Sequence, residues 1–331
     1  MRSMPSRVTI VDLAHDLGIS KTTVADALAG SGRVAEQTRV RVQEAARARG
    51  YVSNRAAQNL RRQSTGAVGL YIPPVVRAVS FYMDFALGGA ERAAVDGFDL
   101  TLFARSGNHE RRFAVDGAVA VDPLPGDPFV AQLLAARMPV VTAGRTTDPA
   151  REHAVIEIPH REMATSLFEH LAGNGARRIA FISPDVDFPS SWATDLVQAY
   201  EQWCATTGQQ PAHIRLTVYP DEREFRAAVA ELAGLPGVDA LAIASEGLAA
   251  RAKRFLAETG VTVGAGFQLA SLSGDPATEQ SDPDIACLDL QPRTFGEEAF
   301  GFLLDVIGGA ADQDAYRNHE ARLVPAADAD E

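Results

Sequence analysis

The chain has 331 residues, about twice one domain length, so it can bury a sizeable core without disulfide or metal staples. Its two cysteines, Cys204 and Cys287, exclude a disulfide framework or a Cys-rich zinc site, and no run of about 18 apolar residues predicts a transmembrane span. The net charge of −12 hides an asymmetry: residues 1–62 carry 11 Lys and Arg against 5 Asp and Glu, whereas the remainder carries 20 against 38.

A basic head on an acidic body suits a nucleic-acid reader joined to another function, because phosphate attracts the one and repels the other; an ordinary solvated charge run is the plainer reading. The polar, basic start lacks the apolar core of a secretory signal, so a cytoplasmic protein without a membrane partner is expected.

In the head, Thr9-Ile-Val-Asp12 has the spacing of a capping box, and Ile10, Leu13, Ala14 and Leu17 repeat at helical intervals up to Gly18. Ser20 is placed to cap a second helix. Its inward face is Val24, Ala27 and Leu28, and Thr22, Ala25, Asp26 and Ala29 form the opposite stripe. A third helix over about 36–49 buries Val42 and Ala46, flanked by Val40 or Ala45, and closes at Gly50. Two short helices joined by a Gly turn make a helix-turn-helix, and three in so few residues make a marginal domain.

Beyond the head, apolar strands at 66–72, 100–104, 117–121, 140–143, 155–158, 178–182, 214–218, 239–243 and 267–272 alternate with helical patterns at 81–96, 127–137, 160–173, 192–206, 222–233, 247–258 and 292–307. Such alternation gives parallel sheets with helices on both faces. The turn-rich stretch 144–151 predicts a split into two doubly wound lobes, with a ligand cleft at the carboxyl ends of the strands.

An enzyme is the competing class. No Gly-x-x-x-x-Gly-Lys phosphate loop, Gly-x-Ser-x-Gly elbow or His-Glu-x-x-His pair occurs, and the histidines at 15, 109, 153, 160, 170, 213 and 319 lack metal-ligand spacing. No catalytic residue, metal or cofactor is therefore expected. A third class, a two-lobed binding or transport protein, would carry a secretory signal in place of the basic head.

The stretch Val8-Thr-Ile-Val-Asp-Leu-Ala, then Leu17-Gly-Ile-Ser-Lys-Thr-Thr-Val24, Arg33-Val, Thr38-Arg, Gly50-Tyr51 and Asn54-Arg-Ala-Ala-Gln-Asn-Leu60, resembles the head of the lactose-repressor/galactose-repressor family of bacterial transcription regulators. Gly66-Ala-Val-Gly-Leu-Tyr-Ile72, Asp116-Gly-Ala-Val-Ala-Val121 and Arg178-Ile-Ala-Phe-Ile182 are similar to strands of that family's effector-binding body, so the resemblance covers nearly the whole chain. It implies a helix-turn-helix head at 1–52, a hinge or linker at 53–63, and a two-lobed, periplasmic-binding-protein-like α/β body with doubly wound parallel sheets at 64–331. The function it implies is a repressor that binds double-stranded operator DNA as a homodimer under small-molecule control. A regulator of the same fold that has lost that control and answers to a protein partner is the alternative.

By this resemblance the recognition helix enters the major groove with Lys21 and Thr22 against base edges, and Thr9, Ser20, Thr23, Thr38 and Tyr51 face phosphates. Thr23 reads equally as a local cap, and Arg33 as a DNA contact or a solvated arginine. Asn54, Arg55 and Ala57 belong to a linker helix that folds on DNA. There Leu60 pries open a base step in the minor groove, unless it is a plain contact to the body. Two departures stand out. Ala25-Asp26 replaces the family's usual Ser-Arg, so Asp26 either accepts from cytosine or only excludes the usual operators. Ala35 replaces a serine cap, a change that costs about 1 kcal/mol.

In the cleft, the family's sugar-binding arginine and carboxylate positions fall on Leu196 and Ser273. The remaining candidates are Tyr82, Arg145, Trp192, Tyr219, Ser245 and Glu246, with Arg145 and Glu246 expected to make the rim polar. An effector other than an unmodified monosaccharide is therefore expected.

Overall fold

The structure, a computed structural model, describes residues 8–29, 34–51, 64–76, 80–104, 113–146, 153–185, 189–264 and 266–327. The chain divides into two compact units, Met1–Ser64 and Thr65–Glu331. The expected linker, 53–63, lies outside the described residues.

The first unit is all-α. In helix α1 (Ile10–Leu17) the Thr9 Oγ1 accepts from the Asp12 N–H at 3.3 Å while Asp12 Oδ2 accepts from the Thr9 N–H at 2.8 Å, which completes the capping box. Gly18 ends it at φ +66°, a conformation that favours glycine. Ser20 Oγ accepts from the Thr23 N–H at 3.0 Å to open α2 (Lys21–Ala29). Helix α3 (Glu36–Ala48) has no side-chain cap at Ala35. Leu13, Ala14, Val24, Ala27, Val42 and Ala46 form the core, and Ala45 flanks it while Val40 is exposed. Ala25 is buried, contrary to the exposed stripe expected for it: a methyl group one turn from Leu28 is small enough to be covered by its neighbours.

The second unit is α/β and built from two six-stranded sheets. The chain runs through β1 (Ala67–Tyr71), α4 (Ser80–Val95), β2 (Asp99–Phe103), β3 (Ala118–Val121), α5 (Pro128–Ala135), β4 (Val140–Ala143), β5 (Ala154–Glu157) and α6 (His160–Gly173). It continues through β6 (Ile179–Pro184), α7 (Ser191–Thr207), β7 (His213–Leu216), α8 (Glu222–Ala233), β8 (Ala240–Ile243), α9 (Leu248–Glu258) and β9 (Gln268–Ser271). The last elements are β10 (Ile285–Asp289), α10 (Pro292–Gly308), β11 (Tyr316–Asn318) and β12 (Arg322–Val324). The first lobe has the order β11-β5-β4-β3-β1-β2, and the second β12-β10-β9-β8-β6-β7. All pairings are parallel except β10 with β12.

The lobes do not divide at 144–151 as the turn composition suggested. β5 still pairs with β4, Val141 opposite Ala154, so the first crossing follows β5 at residues 158–159. The chain returns after β10, since α10 lies against α4, and it changes sheet once more between β11 and β12. Of the three strands absent from the sequence reading, β11 is three exposed residues and β12 three residues with only Leu323 and Val324 half-buried, both too short for an apolar pattern to register. β10, Ile-Ala-Cys-Leu-Asp, is fully buried and has the short apolar run of an interior strand, which the sequence expectation does not include.

The α4–α10 contact is close because of small residues. A Cβ on Gly88 would lie 1.9 Å from the Arg293 carbonyl oxygen, and one on Gly296 would lie 2.0 Å from that of Phe85. A continuous apolar core joins this helix pair to both lobes through Phe85, Phe295 and Phe300 on one side and Phe168, Phe181 and Tyr200 on the other. Separate clusters cover the outer face of each sheet, as a doubly wound layer requires.

Candidate effector cleft and DNA-binding face

A cavity of about 300 Å³ opens between the lobes at the carboxyl ends of the strands, where a parallel sheet leaves a crevice between diverging connections. Asp122 follows β3, Ile158 follows β5, Tyr219 lies beyond β7, Ala244 to Glu246 follow β8, and Leu272 and Ser273 follow β9. Phe81 and Tyr82 come from the first turn of α4, Trp192 and Leu196 from one face of α7, and Phe295 from α10.

The walls are mainly apolar with a few polar groups. Tyr82 donates its hydroxyl to Asp122 Oδ2 at 2.7 Å. Burial pushes the Asp122 carboxyl up to about 7, outweighing that lowering hydrogen bond. Asp122 has φ +42°, and its carboxylate fills the space beside Gly144, where a Cβ would lie 2.9 Å from Oδ1. Glu246 accepts from the Phe81 N–H at 3.2 Å and from the Ser80 hydroxyl, joining second lobe to first. Burial pushes Glu246 up to about 7, above the pull of those donors, and nearby Asp275 adds to the rise. His160 is driven down to about 4 by burial, so it is neutral, and its Nδ1 is buried without a hydrogen-bond partner.

Of the expected cleft residues, Tyr82, Trp192, Leu196, Tyr219, Ser245, Glu246 and Ser273 line this cavity. Arg145 does not. Its Nη1 holds Glu157 at 2.6 and 2.7 Å and its Nη2 donates to Asp195, so the charge expected at the rim is spent on a second bridge between the lobes. Both carboxylates there are nearly buried, and they attract the guanidinium more strongly than water at the cleft mouth does. Asp122, His160, Phe81, Phe295 and Arg251 were missed. Asp122 had a signal, since it directly follows an expected strand. Phe295 had none, because only the return of α10 to the first lobe brings it to the cleft.

On the head, Lys21 and Thr22 are exposed at the amino end of α2, and Asp26 is half-buried one turn on. Thr9 and Ser20 are exposed but already serve as caps, and the Ser20 and Thr23 hydroxyls lie 2.8 Å apart. Thr38 and Tyr51 are half-buried, Tyr51 against the head core. Arg33, Asn54, Arg55, Ala57 and Leu60 lie outside the described residues. Among the described residues, no helix is long and apolar enough to cross a membrane, and no group of three or more His, Cys, Asp or Glu could hold a metal ion.

Comparison with known proteins gives two family matches: bacterial regulatory proteins of the lacI family over residues 9–54, and a periplasmic binding protein-like domain over residues 168–326. The HTH-type transcriptional regulator CelR of Thermobifida fusca is 27% identical over 319 residues, which cover 92% of this chain and 93% of CelR. A solved CelR–cellobiose complex has a TM-score of 0.66 at 24% identity, covering 96% of this chain and 98% of that one. The maltose regulon regulatory protein MalI of Vibrio furnissii is 32% identical over 108 residues, 33% of this chain and 77% of MalI. The Lac repressor dimer bound to operator and the anti-inducer ONPF has a TM-score of 0.77 at 20% identity, with 96% of this chain and 98% of that chain covered.

Proposed function

Because this chain belongs to the lacI family of bacterial regulatory proteins, we propose that it is a repressor that binds a pseudo-palindromic operator as a two-fold symmetric dimer and is switched by a small molecule in its cleft. The observation that carries the reading is the cavity itself, bounded by both lobes and bridged by Ser80 and Phe81 to Glu246 and by Arg145 to Asp195. A molecule in that cavity touches both lobes, so its affinity depends on their angle. Effector and operator affinities are then reciprocally coupled.

The head supplies the DNA side. Lys21 and Thr22, exposed at the start of the second helix of a helix-turn-helix, meet base edges, and Thr9, Ser20, Thr23, Thr38 and Tyr51 face phosphates. Leu60 enters the minor groove at the dyad from the linker that also carries Asn54 and Ala57, and Arg55 holds a flanking phosphate. The dimer face is supported by exposed apolar side chains on one edge of the first lobe: Met83 is 61% exposed, Leu87 45%, Val95 81% and Leu102 52%.

The relative solved with cellobiose makes a carbohydrate the first class to test. Leu196 and Ser273 on the cavity wall argue against an unmodified monosaccharide held by an arginine fork and a carboxylate at those two positions. Each sugar hydroxyl left facing an apolar group loses about 1–3 kcal/mol.

Binding to a selected operator and to random duplex, measured across a salt series with and without candidate effectors, tests the proposal. Affinity should fall steeply with salt, and the selected site should win by orders of magnitude. Leu60→Ala should weaken specific binding far more than non-specific binding. Equal affinity for both duplexes overturns it, and an operator affinity that responds to no small molecule returns control to a protein partner.

A further inference from the structure

Two carboxyl groups, Asp122 and Glu246, face the cavity, and among the described residues neither has a cationic partner. Asp122 receives the Tyr82 hydroxyl, and Glu246 receives the Ser80 hydroxyl and the Phe81 N–H and shares a side-chain hydrogen bond with a third acid, Asp275. Both act on Tyr82, which lies between them electrostatically and is pushed well above its ordinary range by burial first and then by these two acids and Tyr219. Among the described residues the guanidinium on the wall is that of Arg251, which stacks on the Phe225 ring at 5.1 Å. Aromatic rings from Phe81, Tyr82, Trp192, Tyr219 and Phe295 complete the walls, and ring faces attract cations. The unpartnered Nδ1 of neutral His160 can accept a hydrogen bond from a ligand N–H in its Nε2–H tautomer.

We propose that the cleft binds a small organic cation, an amine or related nitrogen base on an apolar or aromatic body, with its charge between Asp122 and Glu246. This rests on reading the cleft as the effector site, and it names the chemical class that site takes. A neutral polyol is satisfied by neutral hydrogen-bond donors and acceptors. A cavity lined by two acids and ring faces, with no lysine among the described residues of its wall, instead forms an ion pair only with a ligand that brings the positive charge itself.

The proton balance gives the proposal its readout. Burial holds both acids up to about 7, so at neutral pH each is only partly ionised in the empty cleft, and below it they are mainly protonated. The groups facing Glu246 are Asp275, Ser80, the Phe81 N–H and Tyr82. Burial pushes Asp275 up, but hydrogen bonds from Thr278 and Ser80 outweigh it and keep it ionised. An entering cation turns Asp122 and Glu246 into carboxylates, and their protons leave for solvent. Affinity therefore rises with pH up to about 7 and levels off above it, by as much as about tenfold per pH unit for each proton released.

The test uses the full-length protein and three probes of one shape: phenethylamine, 2-phenylethanol and 3-phenylpropionate, with cellobiose and glucose beside them. Binding is measured by calorimetry at pH 6, 7 and 8 in two buffers of different ionisation enthalpy. The amine should bind at least tenfold more tightly than the alcohol or the acid, release protons, and tighten from pH 6 to 8. Glu246→Gln and Asp122→Asn, each confirmed folded by circular dichroism at the assay temperature, should each lose at least tenfold. Tighter binding of the acid or of either sugar, an amine affinity independent of pH, or no binding of the amine overturns the proposal. The comparison on the unmodified protein stands even where a variant fails to fold. Operator release is assayed separately. An amine that binds as described without changing operator affinity leaves this inference intact and removes the regulatory reading of the cleft.

Discussion

Glu279 shows how one residue holds the second lobe's cleft loops. It is fully buried, and its carboxylate accepts from the backbone N–H groups of Gly247 at 3.1 Å, Ala249 at 2.9 Å and Asp275 at 2.9 Å. Those donors belong to the amino end of α9 and to the loop after β9, next to Glu246, so removing the carboxylate leaves several buried donors unmatched. Glu279→Ala should lower unfolding free energy by about 3 kcal/mol in a urea titration. Asp122 makes a prediction about pH. Burial holds its folded pKa at about 7, above the ordinary carboxyl value of 3.8, so between those pH values the folded state keeps a proton that the unfolded chain has lost. That contribution favours folding at low pH and is lost as pH rises through about 7. His160 and His213, both driven down to about 4 by burial, act in the opposite sense and cost stability as pH falls below 6.5. Asp122→Asn should therefore gain stability relative to the parent at pH 8 compared with pH 5.5. The same difference at both pH values would show that Asp122 titrates normally.

Helices α4 and α10 are the elements on which the lobes depend, because α10 is where the chain returns from the second sheet to the first. Their backbones approach closely enough that Gly88 and Gly296 each face a carbonyl oxygen about 2 Å from where a Cβ would stand. A carbonyl in a helix cannot withdraw as a flexible side chain can, so overpacking here should exceed the ordinary core penalty. Gly88→Ala or Gly296→Ala should lose about 3 kcal/mol or more, or fail to yield soluble protein. Gly308→Ala, at the end of the same helix with nothing within 4 Å of its Cβ, should be neutral or gain up to about 1 kcal/mol. Similar thermal midpoints for Gly88→Ala and Gly308→Ala would contradict the close approach.

For the whole molecule, the proposed dimer face and the proposed switch meet on the first lobe. Met83 and Leu87 stand one turn apart and exposed on α4, the helix whose first turn supplies Phe81 and Tyr82 to the cavity and Ser80 to Glu246. A second copy covering this face would feel any movement of α4 caused by a ligand. Light scattering should report a dimer. Leu87→Asp, which places a charge in that face and leaves the cavity wall unchanged, should shift the protein toward monomer and weaken operator binding while ligand binding persists. A dimer unaffected by Leu87→Asp would place the interface elsewhere.

Local signals carried most of the secondary structure. Thr9 with Asp12, Gly18, Ser20 and Gly50 act within three or four residues of themselves, so the head's three helices were legible from spacing alone, and buried strands such as Ala118–Val121 announced themselves as short apolar runs. The resemblance placed Trp192, Leu196 and Ser273 at a cleft, where the structure puts them. Tertiary structure alone decided which sheet each strand joins, because hydrogen-bond partners lie far apart in sequence: Tyr316 pairs with Val155, and Cys287 with Val324. It decided that Arg145 bridges Glu157 to Asp195 instead of facing a ligand, since the attraction of two buried carboxylates depends on distances that residue order does not contain. It also decided that Asp122 and Glu246 face one cavity. They are held there, with titrations moved toward neutrality, by burial that exists only once both lobes and the returning α10 have closed around them.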